Sequence, residues 1–305
     1  MNPVVSIAIP CFNSARWLGQ AIESALAQTW PEKEVIVVDD GSTDGSADVA
    51  RQFGDRIQLI VTENRGGNRA RNSAWQAARG EWVQFLDADD YLEPEKIARQ
   101  LAEGGSAADL LYSPVWVEDL ERKTRTATEI DTGLDLFNQW FSWQLPQTGG
   151  GLWRRSALQA LGGWKEDQPC CQEHELYLRA LQAGLRFVFA PTPHAVYRIW
   201  SEETVCRKDP RLVIRVKTAL IDELRAWLTQ RHQWTAAHQR VAGRACFEMA
   251  RTWAKYDRAA AAAYHRERRM RHLIDPSGPA APFAYQLIYR TLGFVPAEVL
   301  AAARR

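Results

Sequence analysis

The chain has 305 residues, 46% apolar and 25% charged, with 38 basic against 37 acidic side chains and a formal net charge of +1. That length suits one large domain, or one domain and a smaller appendage, and the balanced charge provides no overall field for nucleic acid or an anionic surface. Any anionic ligand must therefore be held by local chemistry.

Five cysteines, Cys11, Cys170, Cys171, Cys206 and Cys246, show no CxxC spacing, so neither zinc nor a disulfide framework is expected, and reduced thiols in a cytoplasmic protein are. The opening MNPVVSIAIP has no basic n-region and meets Pro10 and Asn13 early, which argues against a signal peptide. No run reaches the ~18–20 apolar residues of a membrane span.

Val4–Ile9 is a β-branched run closed by Pro10 and predicts a buried strand. Ala15–Ala27 carries apolar residues at helical spacing, with Ser14 as its expected N-cap. A second strand, Glu34–Asp40, ends on two acids; GSTDGS then turns into a helix over Ala47–Phe53. Ile57–Thr62 reads as a third strand, Gly66–Gly80 as a loop entering a helix, and Trp82–Leu86 as a fourth strand. This alternation over the first ~100 residues predicts an α/β domain with a parallel, helix-covered, doubly wound sheet. Ligands of such sheets bind beyond the carboxyl ends of the strands. The polar clusters Pro10–Asn13, Asp39–Asp40, Asn64–Gly67 and Asp87–Asp90 all fall at such ends, so they should converge in space.

Beyond Leu92 the pattern loosens. Leu110–Asp119 and the stretch around Arg122–Thr128 predict a hairpin, followed by a Trp- and Gln-rich segment to Pro146. Gln147–Leu158 is Gly-rich and then basic, Glu173–Ala183 reads as a helix ended by Gly184, and Leu185–Phe189 as a strand. From about Pro210 the chain is helical, with a linker at Asp275–Pro282 and a last amphipathic stretch, Phe283–Arg305. The expected organisation is a domain over 1–205, with a nucleotide-binding half of about 1–100 and an acceptor half of about 101–205, and a helical region over 206–305.

Asp87, Asp89 and Asp90 crowd one strand end. A single aspartate there would cap a turn or helix, the reading favoured for Asp44. Two carboxylates one residue apart cannot both cap one turn. They suit a hard divalent cation, Mg²⁺ or Mn²⁺, which takes oxygen ligands and bridges carboxylates to a diphosphate. The loop PCFNSARW has no GxGxxG and the chain no GxxxxGK[ST], which argues against dinucleotide binding and a P-loop. An acidic pair after the second strand, not the first, argues against a receiver domain. Asp39 could accept a hydrogen bond from an N–H of uracil, and Arg69 and Arg71 could meet base or phosphates.

The segments VSIAIPCFNSARWLGQAIESALAQTW, EVIVVDDGSTDGS, NRGGNRARNSAWQAARGEWVQFLDADDYLEPEKI and QEHELYLRA resemble the family 2 glycosyltransferases, closely over residues 4 to about 100 and loosely over about 145 to 200. The resemblance implies an A-type glycosyltransferase fold, a nucleotide-diphosphate sugar donor (usually UDP-linked), a Mn²⁺ or Mg²⁺ ion and inversion at the anomeric carbon. By position it implies that Pro10, Phe12, Asn13 and Asp39 line the nucleotide pocket with Arg71 nearby. It makes Asp87 and Asp89 the DxD motif, with Asp89 the direct metal ligand. The family's Glu-Asp pair falls on Gln172 and Glu173, so Glu173 takes the place of the catalytic base, with His174 and Glu175 as rivals. Arg154, Arg155 and Arg198 are candidates for an anionic acceptor group or the diphosphate. Trp200 stands near the place where relatives carry a histidine.

The implied activity is transfer to a glycan or lipid-linked acceptor in cell-surface polysaccharide or lipopolysaccharide synthesis, in the cytoplasm and without nucleic acid. Arg266, Arg268, Arg269 and Arg271, ahead of the amphipathic FAYQLIYRTLGFVPAEVL, would allow peripheral contact with the inner face of a membrane. Helices packed on the catalytic domain are the plainer expectation for that region. The alternatives are a nucleotide-sugar binding module that has lost catalysis, since the acidic pair is altered, and a sugar-phosphate nucleotidyltransferase.

Overall fold

The computed structural model describes residues 2–104, 107–200 and 209–303. Cys206 and the expected boundary at 205/206 lie outside the described residues. The chain divides into two compact units, Met1–Ile130 with Leu145–Glu202, and Asp131–Gln144 with Glu203–Arg305.

The first unit holds a sheet of seven strands: β1 Val5–Cys11, β2 Lys33–Asp40, β3 Gln58–Thr62, β4 Trp82–Phe85, β6 Leu110–Tyr112, β9 Gly151–Arg154 and β10 Phe187–Phe189. Their order is β10-β6-β9-β4-β1-β2-β3, and every pairing is parallel except the two made by β9. A second sheet joins β5 Tyr91–Leu92, β7 Trp116–Asp119, β8 Thr124–Ala127 and β11 Ala195–Ile199 in the order β5-β11-β7-β8. The expected hairpin is thus β7–β8, whereas Leu110–Tyr112 belongs to the main sheet.

All seven residues of β1 are buried, as a strand covered on both faces requires. The strand runs through Pro10, which the sequence reading had closing it, to Cys11. Its register sets Cys11 against Asp39 of β2, so the polar ends of both strands open on one side. Helix α1, Ala15–Leu26, buries Leu18, Ala21, Ile22 and Ala25. Ser14 does not cap it with its side chain. Asp44 accepts from the Ala15 N–H at 2.9 Å instead, so the cap comes from the next βα loop. The unit's other helices are α2 Ser46–Arg51, α3 Gly67–Ala77, α4 Lys96–Gly104, α6 Arg155–Leu161 and α7 Gln172–Gln182.

Helix α5, Leu136–Phe141, groups with the second unit, a correction to the acceptor half expected over 101–205. The cause is its apolar aromatic face: Phe141 meets Trp234 at 5.9 Å between ring centroids, and Phe137 meets Trp227 at 6.0 Å. The remaining helices of that unit are α8 Pro210–Gln230, α9 Ala236–Ala254, α10 Arg258–Met270, α11 Phe283–Leu292 and α12 Phe294–Ala302. Gly293, at φ 84°, separates the last two, so the expected continuous amphipathic stretch is two helices. Among the described residues no helix is long and apolar enough to cross a membrane.

Candidate active site

At the end of β2, Asp39 is 1% exposed. Its Oδ2 accepts from the Ser42 N–H at 3.2 Å, while its Oδ1 is buried with no hydrogen-bond partner among the described residues. Leaving a buried acceptor unsatisfied costs about 1–3 kcal/mol, so this oxygen suits a donor N–H brought by a ligand. Asp40 is committed to structure, accepting from the backbone N–H groups of Arg65 at 2.9 Å and Gly66 at 2.8 Å. It thereby holds the loop that enters α3. Asn13 has φ 46°. It bridges to the neighbouring turn, its N–H donating to Ser42 Oγ at 2.9 Å and its Oδ1 accepting from the Thr43 N–H at 2.8 Å. Pro10 is buried within β1, whereas Phe12 is 49% exposed and offers a ring face at the mouth of the loop.

Helix α3 is fixed against the segment ahead of α7, where Asn72 Nδ2 donates to Trp164 O at 2.8 Å and Asn68 Nδ2 to Lys165 O at 2.7 Å. This places buried Arg71 over the Trp164 ring, 4.8 Å from its centroid. The Arg71 guanidinium donates to Asp87 Oδ1 at 2.7 Å and to Gln172 Oε1 at 2.9 Å. Burial, the largest influence, disfavours its charge, but Asp87 and then Glu173 outweigh it and raise its pKa. Arg71 therefore joins the aspartate cluster to the start of α7. Arg69 faces elsewhere and pairs with Glu166 at 2.8 Å.

The three aspartates divide their roles. Burial and the Asp87 charge raise the Asp89 pKa, opposed by the Trp200 indole N–H, which donates to Asp89 Oδ2 at 2.9 Å. Asp90 is buried deeper and accepts from the Arg198 N–H at 2.8 Å. Burial and the other two acids push its pKa well up. Asp90 is a structural anchor. Asp87 and Asp89 are the oxygen donors available to a divalent cation, and two carboxylates are what Mg²⁺ or Mn²⁺ uses when the rest of its shell is water and diphosphate. A carboxylate such as Asp89, held from its charge by burial and by the neighbouring Asp87, fits a cation.

Glu173 lies in the first turn of α7, and its Oε1 accepts from Thr148 Oγ1 at 2.5 Å. Buried Tyr177 donates to Pro146 O at 3.1 Å and pins α7 to the loop that carries Thr148. Of the rivals, Glu175 is bound by Arg179 at 2.7 Å and 2.8 Å, and His174 is buried. Glu173, in contrast, keeps the Thr148 hydroxyl as its hydrogen-bond partner among the described residues.

The sheet register corrects the expectation for Arg154 and Arg155. Arg154 and Arg155 do not reach this end of the sheet. Strand β9 runs antiparallel, pairing Arg154 with Trp82 at the amino end of β4, where Arg154 bonds Glu81 at 2.5 Å and the Arg155 N–H reaches Glu81 O at 2.9 Å. Only the Thr148–Gly150 start of that segment meets the site. Arg198 is 4% exposed, lies between the rings of Trp17 and Tyr91, and donates to Asp89 O at 3.1 Å. There it braces the aspartate loop from within the fold. The sequence gives no role to the Thr148 side chain, although Thr148–Arg155 resembles the family's segment beneath the acceptor. The Trp17–Arg198–Tyr91 stack joins residues too far apart in sequence to be paired by pattern.

Relatives and solved structures share this frame. An uncharacterized glycosyltransferase of Nostoc sp. is 36% identical over 168 residues, 51% of this chain and 52% of its own. TuaG of Bacillus subtilis, provisionally named a teichuronic acid biosynthesis glycosyltransferase, is 39% identical over 104 residues, 33% of this chain and 41% of its own. The chain thus spans about half or less of the length of these relatives. S. aureus TarS 1–349 in complex with UDP-GlcNAc superposes with a TM-score of 0.62 at 18% identity, over 84% of this chain and 74% of that one. The mannosyltransferase PcManGT from Pyrobaculum calidifontis, in complex with GDP-Man and Mn²⁺, gives 0.55 at 19% identity over 99% and 86%. Residues 6–162, about half of the chain, covering β1 from Ser6 and all of β2 to β4 with their site-bearing ends, match Glycosyl transferase family 2, and the chain belongs to that family.

Proposed function

We propose that the protein is an inverting, metal-dependent glycosyltransferase. It would move a sugar from a nucleotide-diphosphate donor, in the first place a UDP-sugar, to a hydroxyl of a glycan or lipid-linked acceptor. The observation that carries the reading is the meeting, at the ends of β1, β2 and β4, of the unpartnered Asp39 oxygen, the Asp87–Asp89 pair and, through Arg71, the start of α7 with Glu173. Donors bound by the structural neighbours, UDP-GlcNAc and GDP-Man, support the nucleotide-sugar class. TuaG's provisional name supports a cell-surface polysaccharide pathway.

In this reading Asp39 Oδ1 accepts from a base N–H and Phe12 covers the nucleoside. Glu173, oriented by Thr148, takes the proton of the acceptor hydroxyl as its oxygen bonds to the anomeric carbon and the bond to the diphosphate breaks. Arg71 keeps Asp87 in place beside Asp89. A divalent cation held by Asp89 and Asp87 would supply Lewis-acid stabilisation of the departing diphosphate.

The test is calorimetric titration of UDP with and without Mn²⁺ into the native protein and Asp89→Asn. Manganese-dependent binding that is lost in the variant is expected, and a panel of UDP- and GDP-sugars then identifies the donor. If no nucleotide binds, the reading falls. Gln172, where the family has an acid, favours a second reading, a donor-binding module without transfer. Glu173→Gln separates the two. Transfer by the native protein that drops at least ~100-fold in the variant supports the base. Donor binding with no transfer in either supports the module.

A further inference from the structure

Helices α11 and α12 dock on the second unit through one face only. Tyr285, Tyr289 and Phe294 surround Phe247 of α9 at centroid distances of 5.9, 5.5 and 6.3 Å. Phe294 also stacks on His265 of α10 at 4.4 Å. The opposite face carries Phe283 (82% exposed), Leu287 (59%), Leu292 (57%), Val295, Val299 and Leu300. These six fall within 18 residues, among thirteen large exposed apolar side chains in all the described residues. Scattered exposed apolar residues are ordinary, but a concentration on one pair of helices marks a contact surface.

Charge identifies the occupant. From Pro276 to Ala303 the chain has a single acid, Glu298, and it is buried, held by Arg251 at 2.6 Å and by the Tyr285 hydroxyl at 2.7 Å. Exposed arginines stand on α11 (Arg290) and on α10 (Arg266 and Arg269), the Arg269 charge acting on His265 and on Tyr289 of the docked pair, while Glu267 of α10 is taken up by Arg268 and Arg271. At the far end of α12, Lys255, Tyr256, Arg258 and Ala302 line a pocket of about 520 Å³ together with the neutralised Glu298. A second copy of the chain paired face to face would set these arginines against their own like. An apolar centre with a cationic rim instead matches an acyl boundary beneath anionic headgroups.

We propose that the outward face of α11 and α12 docks the protein peripherally on an anionic phospholipid bilayer, with the apolar side chains entering the acyl boundary and the arginines meeting the headgroup phosphates. The surface lies in the helical unit and does not depend on the proposed transfer reaction. It would bring the protein to a surface where lipid-linked acceptors reside.

Flotation of the 305-residue chain with vesicles tests this, using phosphatidylcholine alone and phosphatidylcholine with about one quarter phosphatidylglycerol. Flotation with the anionic vesicles only, released by raised salt, is the expected result. Replacing Arg266, Arg269 and Arg290 with Gln together should weaken partitioning on the order of 100-fold. The double variant Phe283→Ser, Leu287→Ser should stop floating while its helicity and melting stay native, because both side chains are already exposed. No flotation, or flotation indifferent to lipid charge and to the three arginines, overturns the proposal. So does a dimer in sedimentation that the double variant dissolves without any vesicle binding. UDP titration of the same variants keeps the two readings apart, since donor binding should be unchanged.

Discussion

At the scale of single residues, the site is organised by who is already bonded. Both Glu175 oxygens are held by Arg179, and the Arg198 side chain donates to Asp89 O and Glu118, whereas among the described residues Asp39 keeps a buried oxygen without a partner. Glu173 has one identified grip, the Thr148 hydroxyl at 2.5 Å. In the proposed reaction, that bond fixes the rotamer of the carboxylate that takes the acceptor proton. Thr148→Val keeps the shape and removes the donor, so kcat should fall about tenfold with KM for the donor nearly unchanged, and Thr148→Ser should restore it. Equal loss in the serine and valine variants would show that Thr148 only packs. In the sequence Asp39, Asp87 and Asp89 stand out as carboxylates at strand ends, and Glu173 through the position of the family's acidic pair. Thr148 does not stand out; a threonine before glycines reads as a turn.

At the scale of elements, period and punctuation were enough for β1 to β4 and for the helices between them. Strand direction was not. β9 is four residues long, and a short apolar run is the same read either way, so nothing local announced that Arg154 and Arg155 would leave at the amino end of β4. Nor could periodicity assign α5, whose aromatic face is matched only by the rings of Trp227, Trp234 and His238 in the second unit. The glycine run before β9 does have a readable cause. A Cβ on Gly150 would stand 2.5 Å from Pro146 Cβ and 2.8 Å from Ser113 O, a backbone approach no side chain tolerates. Gly150→Ala should cost about 1–3 kcal/mol. It should also lower kcat, because the displaced loop carries Thr148. Gly162→Ala is the control, since it meets positive φ (74°) but no neighbouring atom within 4 Å and lies away from that loop. If both variants lost stability equally with activity intact, the Gly150 contact would not matter to the site.

At the scale of the whole molecule, 38 basic and 37 acidic side chains nearly cancel, so mild acid has little net self-repulsion to work with. Its effect should be local and fall on the helical unit. His265 is 4% exposed, stacked on Phe294 and hydrogen-bonded through Nε2 to the Tyr289 hydroxyl at 2.9 Å. Burial first, and the Arg269 charge second, push its pKa from 6.5 down to about 4. The unfolded chain therefore binds a proton that the folded chain refuses. This contribution to stability is complete above about pH 6.5 and is lost as pH falls toward about 4. At roughly 1.4 kcal/mol per pH unit, the loss by about pH 5 is about 2 kcal/mol. Urea unfolding followed by helical circular dichroism, at about pH 7 and about pH 5, should show that drop in the native protein. His265→Gln should start lower, having lost the ring stack, but change far less between the two pH values. A variant with the native pH slope would place the acid sensitivity elsewhere than on His265.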